Sequence, residues 1–227
     1  MPSTQDPSVP RLAMVDWDVY LVTQASLSAG RTTEEIVADA IDGGVGVVQL
    51  REKDRTARER YELGQRVREL TRKAGVTFVV NDRVDLAQAL DADGVHLGDD
   101  DLPVSVARDL LGEDAIIGRS VSTVEDAEAA EAAGADYLGV GAVFATGSKD
   151  DIDDDEYAVG TDRVAAIAEA VDIPFVGIGG ITAENATEVV EAGADGVAVI
   201  TAITQADDPD IATADLATAV KRGRQRK

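Results

Sequence analysis

Two carboxylates, Asp82 and Asp101, each follow an apolar run in the stretch TFVVNDRVDLAQALDADGVHLGDDD, which spans residues 77–101. Acids that close buried strands are costly unless a positive partner joins them, and no lysine stands near this pair in the sequence. Oxygen donors without cysteine or clustered histidine suit a hard cation, Mg²⁺ above all, which takes one or two carboxylates and completes its shell with water and phosphate oxygens. Such an ion calls for a diphosphate. Arg51 and Lys53 in QLREK, with Lys149 in TGSKDD, would bracket that anion, the guanidinium engaging two oxygens at once. Gln49, Asn81 and Ser120 would add neutral hydrogen bonds. Gly179-Gly180 and Ile200-Thr201 offer backbone N–H groups for a second, single phosphate. Two phosphate sites imply two phosphorylated substrates.

These residues must be held at one mouth, and the chain supplies the elements to do it. Apolar runs recur at Val19–Val22, Val45–Leu50, Phe78–Val80, Val95–Leu97, Ala115–Ile117, Tyr137–Phe144, Phe175–Ile178 and Val197–Ile200. Helical patterns lie between them, with Leu63, Val67, Leu70 and Ala74 on one face and Val164, Ile167, Ala168 and Val171 on another. Thr32 with Glu35 and Ser122 with Glu125 match capping boxes. LDADGVHLG, AAGADYLGV and EAGADGVAV repeat one device: small residues end a helix, and an Asp sits in the turn before a strand. Eight strand–helix units at roughly 25 residues each predict a single-domain α/β (β/α)8 TIM barrel, with its chemistry at the C-terminal strand ends. An open doubly wound sheet is the second choice, and no GxGxxG suggests a dinucleotide. The barrel is expected over residues 17–220, between a polar arm at 1–16 and a basic tail at 221–227.

Composition narrows the class. The chain has 227 residues, no Cys and a formal charge of −23, which excludes disulfides and a thiolate nucleophile and sets aside nucleic acid and anionic membranes as partners. No apolar run is long enough to span a bilayer and no signal sequence is visible, so a cytoplasmic protein is expected. Self-repulsion on this scale is screened at molar salt, where the Debye length is about 3 Å, which points to a halophilic cytosol. The sequence leaves a homo-oligomer open.

In order, QLREK, VVNDRVDLA, ADGVHLGDDD, GVGAVFATGSKDD and GIGGITAENATEVVEAGADGVAVIT resemble thiamine-phosphate synthase, over residues 18 to 204 or so. The resemblance implies a transferase of thiamine biosynthesis. It would couple 4-amino-2-methyl-5-hydroxymethylpyrimidine diphosphate to a thiazole phosphate, releasing diphosphate and forming thiamine monophosphate. It further implies that Gln49, Arg51, Lys53, Asn81, Ser120 and Lys149 bind the pyrimidine diphosphate, with Ser120 and Lys149 catalytic. Asp82 and Asp101 would hold Mg²⁺, and Thr146, Ser148, Gly180, Ile200 and Thr201 would face the thiazole phosphate. Ser148 and Thr201 exchange the family's usual Thr and Ser, keeping a hydroxyl. Arg119 and the acidic DDIDDDEY after Lys149 depart from its pattern.

Plainer readings stand beside these. Asp99 and Asp100 read as surface charge, Glu52 as an ion-pair partner, and His96, inside an apolar strand, as a hydrogen-bonded structural histidine. Arg58, Arg60, Arg66, Arg68, Arg72 and Lys73 read as one solvated helix face. A thiazole tautomerase-like paralogue and a non-catalytic, regulatory phosphate-binding barrel are the alternative functions. A sugar-phosphate isomerase or aldolase would need Lys53 or Lys149 as its base or Schiff-base residue.

Overall fold

Every apolar run of the sequence becomes a strand, and every strand pairs in parallel with the next. The structure, a computed structural model, describes residues 11–145 and 158–226. The strands are β1 (Val19–Val22), β2 (Val47–Leu50), β3 (Thr77–Asn81), β4 (Gly94–Leu97), β5 (Ile116–Val121), β6 (Tyr137–Gly141), β7 (Phe175–Ile178) and β8 (Gly196–Val199). They form a closed barrel in sequence order, sealed where Tyr20 of β1 pairs with Ala198 of β8. The helices are α1 (Thr33–Asp42), α2 (Ala57–Ala74), α3 (Val84–Ala89), α4 (Val104–Leu111), α5 (Val124–Ala132), α6 (Gly160–Ala170), α7 (Ala186–Glu191), α8 (Thr201–Thr204) and α9 (Pro209–Arg224). This is the expected (β/α)8 barrel.

Strand limits differ from the apolar runs in an instructive way. β5 runs on to Val121 because pairing with β6 continues through Ser120↔Gly139 and Val121↔Val140. Arg119 and Ser120 are therefore strand residues rather than loop residues. β6 stops at Gly141, short of Phe144. Helix starts follow side-chain capping. Thr32 and Glu35 form the expected capping box, Thr56 and Glu59 form another, and α5 is capped by Thr123 rather than Ser122. The inward face of α2 is Leu63, Gly64, Val67 and Thr71, and Ala74 is exposed.

The repeated Asp has a structural task. Asp93 Oδ2 accepts the Phe78 N–H (2.8 Å), Asp136 Oδ2 the Ile117 N–H (2.7 Å) and Asp195 Oδ2 the Phe175 N–H (2.9 Å). The backbone N–H of each aspartate in turn donates to Phe78 O, Ile117 O or Phe175 O. Strands β4, β6 and β8 are thus fastened to the strand before them at two points. Arg68 joins Asp93 at 2.8 Å and is largely buried over the Phe78 ring, so it does not belong to the solvated face of α2. The basic stretch from Lys221 continues α9, where Arg224 pairs with Asp18 (2.5 Å) and Arg226 with Glu191 (3.2 Å).

Alternation along the strands divides the apolar residues between two layers. Val19, Leu21, Val48, Leu50, Phe78 and Val80 pack outward under the helices. Trp17, Tyr20, Val22, Val47, Val79, Ile116, Tyr137, Val176, Ala198 and Ile200 fill the barrel. Trp17 stacks 4.7 Å from Tyr137. Above this floor the inner positions turn polar, and the site begins there.

Candidate active site

A cavity of about 310 Å³ opens within the barrel, lined by Tyr20, Val22, Gln49, Arg51, Lys53, Asn81, Asp82, His96, Gly98, Asp99, Asp100, Ser120, Gly139, Val176, Ile178, Ala198 and Ile200. Residues from all eight strands and the turns that follow them converge on it. Gln49, Arg51, Lys53, Asn81, Asp82, Ser120 and Ile200 of the sequence-derived set all stand in its wall. Asp101, Gly180 and Thr201 are not among its lining residues. Thr146, Ser148, Lys149 and the acidic segment that follows fall outside the described residues.

The carboxylates meet as their strand ends require. Asp82 and Asp101 come within hydrogen-bonding reach, and partial burial together with the facing Asp82 pushes the Asp101 carboxyl up. The Gly98 N–H, 2.6 Å from Asp101 Oδ2, and the Lys53 ammonium pull it back down. Lys53 Nζ lies 3.3 Å from Asp82 Oδ2. This corrects the expectation that no lysine serves the pair: the lysine comes from the neighbouring strand end, 29 positions earlier in the chain. Asp82 adopts φ 63°, a left-handed conformation that costs about 1–3 kcal/mol outside glycine and persists only where the surroundings impose it. Here the Asp82 N–H donates to His96 O at 2.8 Å and fixes that turn.

Around the acids stand the donors. Arg51 donates from Nη1 to Gln24 Oε1, a neutral partner that leaves its charge uncompensated by that bond. Asn81 is only 7% exposed, yet its Nδ2 has no hydrogen-bond partner among the described residues. A buried amide N–H left unmade costs about 1–3 kcal/mol, and this one stands in the cavity wall. Glu52, also left-handed at φ 36°, turns away from the cavity. Its carboxylate accepts the Ala25 N–H (3.0 Å) and the Thr33 hydroxyl (2.8 Å), with Arg55 at 3.7 Å, and so ties β2 to the loop after β1. Asp99 pairs with Arg119 at 2.6 Å on the cavity's outer lip.

On the far side Gly180 shows why that position is glycine. At φ 61° a Cβ would lie 2.6 Å from Ala145 O and 2.8 Å from Phe144 Cβ. The close approach lets the chain after β7 fold against the chain after β6, with the Asn185 amide donating to Gly180 O at 3.0 Å.

Sequence reasoning missed the polar floor of the cavity. Gln49 Nε2 donates to Tyr20 Oη (2.7 Å), Tyr20 Oη meets Tyr137 Oη (2.8 Å), Tyr137 Oη meets His96 Nδ1 (3.0 Å), and His96 Nε2 meets Ser120 Oγ (2.9 Å). His96 is hydrogen-bonded as expected, but it faces the site. Burial pushes both phenols up, so they stay protonated at neutral pH. Gly118 and Gly139 make the room: a Cβ at Gly118 would overlap the Tyr137 ring and come within 2.5 Å of His96 Nδ1, and one at Gly139 would lie 3.0 Å from His96 Cε1.

The family model described as thiamine monophosphate synthase matches residues 19–203, nearly the whole barrel. The chain belongs to that family. Among members of the thiamine monophosphate synthase family, it is 84% identical to the thiamine-phosphate synthase of Haloarcula marismortui, covering 93% of this chain and 100% of that one. It is 52% identical to the enzyme of the same name from Moorella thermoacetica, over 93% of this chain and 96% of that one. A solved structure of thiamine phosphate pyrophosphorylase from Pyrococcus furiosus is 42% identical and superposes with a TM-score of 0.83, covering 92% of this chain and 97% of the other. Among the described residues, no helix is long and apolar enough to cross a membrane.

Proposed function

We propose that this barrel is a thiamine-phosphate synthase, a transferase that joins 4-amino-2-methyl-5-hydroxymethylpyrimidine diphosphate to a thiazole phosphate and releases diphosphate and thiamine monophosphate. The observation that carries the reading is the rim. Asp82 faces Asp101, with Lys53 against Asp82 and Arg51 beside them in the cavity wall, in a chain 84% identical to a synthase over that protein's full length.

The donor set fits a bound Mg²⁺, since two facing carboxylates without sulfur or imidazole suit a hard ion. When bound, such an ion supplies charge stabilisation to the departing diphosphate. Asp82 and Asp101 would hold it. Arg51, Lys53 and Lys149 would neutralise diphosphate oxygens, and the Asn81 amide, without a partner among the described residues, would donate to one of them. Gln49 and Ser120 would fix the pyrimidine, with Ser120 and Lys149 the catalytic pair. Thr146, Ser148, Gly180, Ile200 and Thr201 would seat the thiazole phosphate. The bond from the pyrimidine methylene to the diphosphate oxygen breaks with its electron pair leaving on oxygen, and the thiazole nitrogen lone pair then captures the methylene cation. The chain's part is charge stabilisation and placement.

The net charge of −23 and the relative from Haloarcula, a halophile, support a protein built for concentrated salt, which we place in the cytoplasm. The test mixes purified protein with both heterocycles and Mg²⁺ at high salt. Thiamine monophosphate and diphosphate should appear in equal amounts, and none should form once the metal is chelated. Absence of product across all salt and Mg²⁺ concentrations would overturn the proposal.

A further inference from the structure

The hydrogen bonds on the cavity floor form a chain with a sense, and that sense has a consequence for Ser120. An amide nitrogen can only donate, so Gln49 Nε2 gives a hydrogen to Tyr20 Oη. Tyr20 must then pass its own hydrogen onward. It is 1% exposed, and the phenol of Tyr137 at 2.8 Å is its other hydrogen-bond partner among the described residues. Tyr137, fully buried, accepts from Tyr20 and so donates to His96 Nδ1 at 3.0 Å. An imidazole that accepts at Nδ1 carries its hydrogen at Nε2, which donates to Ser120 Oγ at 2.9 Å. Ser120 Oγ thereby accepts from His96, and its own hydrogen is free to point into the cavity. The reverse sense would strand the Tyr20 hydrogen in the core at the cost of an unmade buried bond.

We infer that His96 is held as the Nε2–H tautomer and that His96 and Tyr137 are positioning residues that keep the Ser120 hydrogen free for the substrate. Ser120 would then donate to an acceptor atom of the substrate, such as a ring nitrogen lone pair. This rests on the reading that Ser120 contacts the pyrimidine substrate. Gly118 and Gly139 belong to the same device, because only their missing side chains admit the imidazole and the phenol side by side.

The chain has a single histidine, so its tautomer can be read without assignment. In uniformly ¹⁵N-labelled protein freed of any histidine tag, a long-range ¹H–¹⁵N correlation should show Nε2 protonated and Nδ1 bare. An Nδ1–H tautomer, or an imidazolium at neutral pH, overturns the proposal. This measurement needs no substrate, so it stands or falls apart from the condensation reading. Tyr137→Phe keeps the ring against Trp17 and removes only the donor. It should yield a tautomer mixture and raise KM for the pyrimidine diphosphate about tenfold, the worth of one well-made hydrogen bond. It should leave KM for the thiazole phosphate unchanged. An unaltered tautomer with an unaltered KM overturns the positioning role.

Discussion

Replacing Gly118 by alanine adds one methyl group to the barrel floor, and the structure says what it meets. The new Cβ would overlap the Tyr137 ring and sit 2.5 Å from His96 Nδ1, where ordinary contact begins at 3.4 Å. The phenol cannot retreat freely, since it is fully buried and stacked 4.7 Å from Trp17. Overpacking of this kind costs about 1–3 kcal/mol. Displacing the ring also breaks the Tyr20–Tyr137 and Tyr137–His96 bonds, at about 1 kcal/mol each. For a domain of this size each kcal/mol is about 2–4 °C in Tm, so a fall of roughly 10 °C is expected. Thermal unfolding followed by circular dichroism in molar KCl reads it directly. Gly139→Ala, whose Cβ lies 3.0 Å from His96 Cε1, should fall less, because one ring edge has room to yield. A Gly118→Ala protein within about 2 °C of the parent, an interval worth under 1 kcal/mol, would refute the close-packed floor. So would a larger loss from Gly139→Ala.

Three further outcomes are expected. Asp82→Ala and Lys149→Ala should each lower turnover by about 10²–10³ while far-ultraviolet circular dichroism stays native, the usual cost of losing one preorganised charge-stabilising group; near-normal turnover by either would count against the assigned roles. Asp101, raised by burial and by Asp82, binds its proton more readily folded than unfolded. Its contribution therefore favours folding fully below the ordinary carboxylate value and is lost as pH rises through the raised one. In metal-free urea titrations Asp101→Asn should gain on the parent as pH climbs through that window, and a pH-independent difference would contradict the pairing. Stability should also rise from dilute buffer to molar KCl, as screening removes the repulsion of 23 net negative charges; a midpoint in urea that is highest at low salt would exclude that origin.

The barrel was legible because its signals are periodic and local. Apolar runs, helix caps and the Asp before alternate strands each lie within a few residues. The apolar run understates β5 because, past Ile116, its inner face is Gly118 and Ser120, which carry no apolar signal. The rim was legible for a related reason. Arg51, Lys53, Asn81 and Asp82 follow apolar runs and Gln49 interrupts one near its end, and a barrel brings all such positions to one mouth. What the sequence hid were side-chain meetings across the barrel. Lys53 reaches Asp82 from the next strand, Gln24 holds Arg51, and Tyr20 meets Tyr137 across 117 positions. Both tyrosines read as ordinary core residues, since hydropathy registers a phenol ring and not what its hydroxyl touches. The vacancy left by a glycine becomes visible only once the neighbour that fills it is in place.

The aspartates at positions 93, 136 and 195 clasp β4 to β3, β6 to β5 and β8 to β7. No such clasp precedes β3, β5 or β7. Three couples, β3–β4, β5–β6 and β7–β8, therefore have tight seams inside and plainer ones between them, while β1 and β2 share no such aspartate. Slow hydrogen exchange should respect those couplets. A chain reopened between β4 and β5, or between β6 and β7, keeps every clasp intact, which makes those joints the natural places to divide the barrel into complementing fragments.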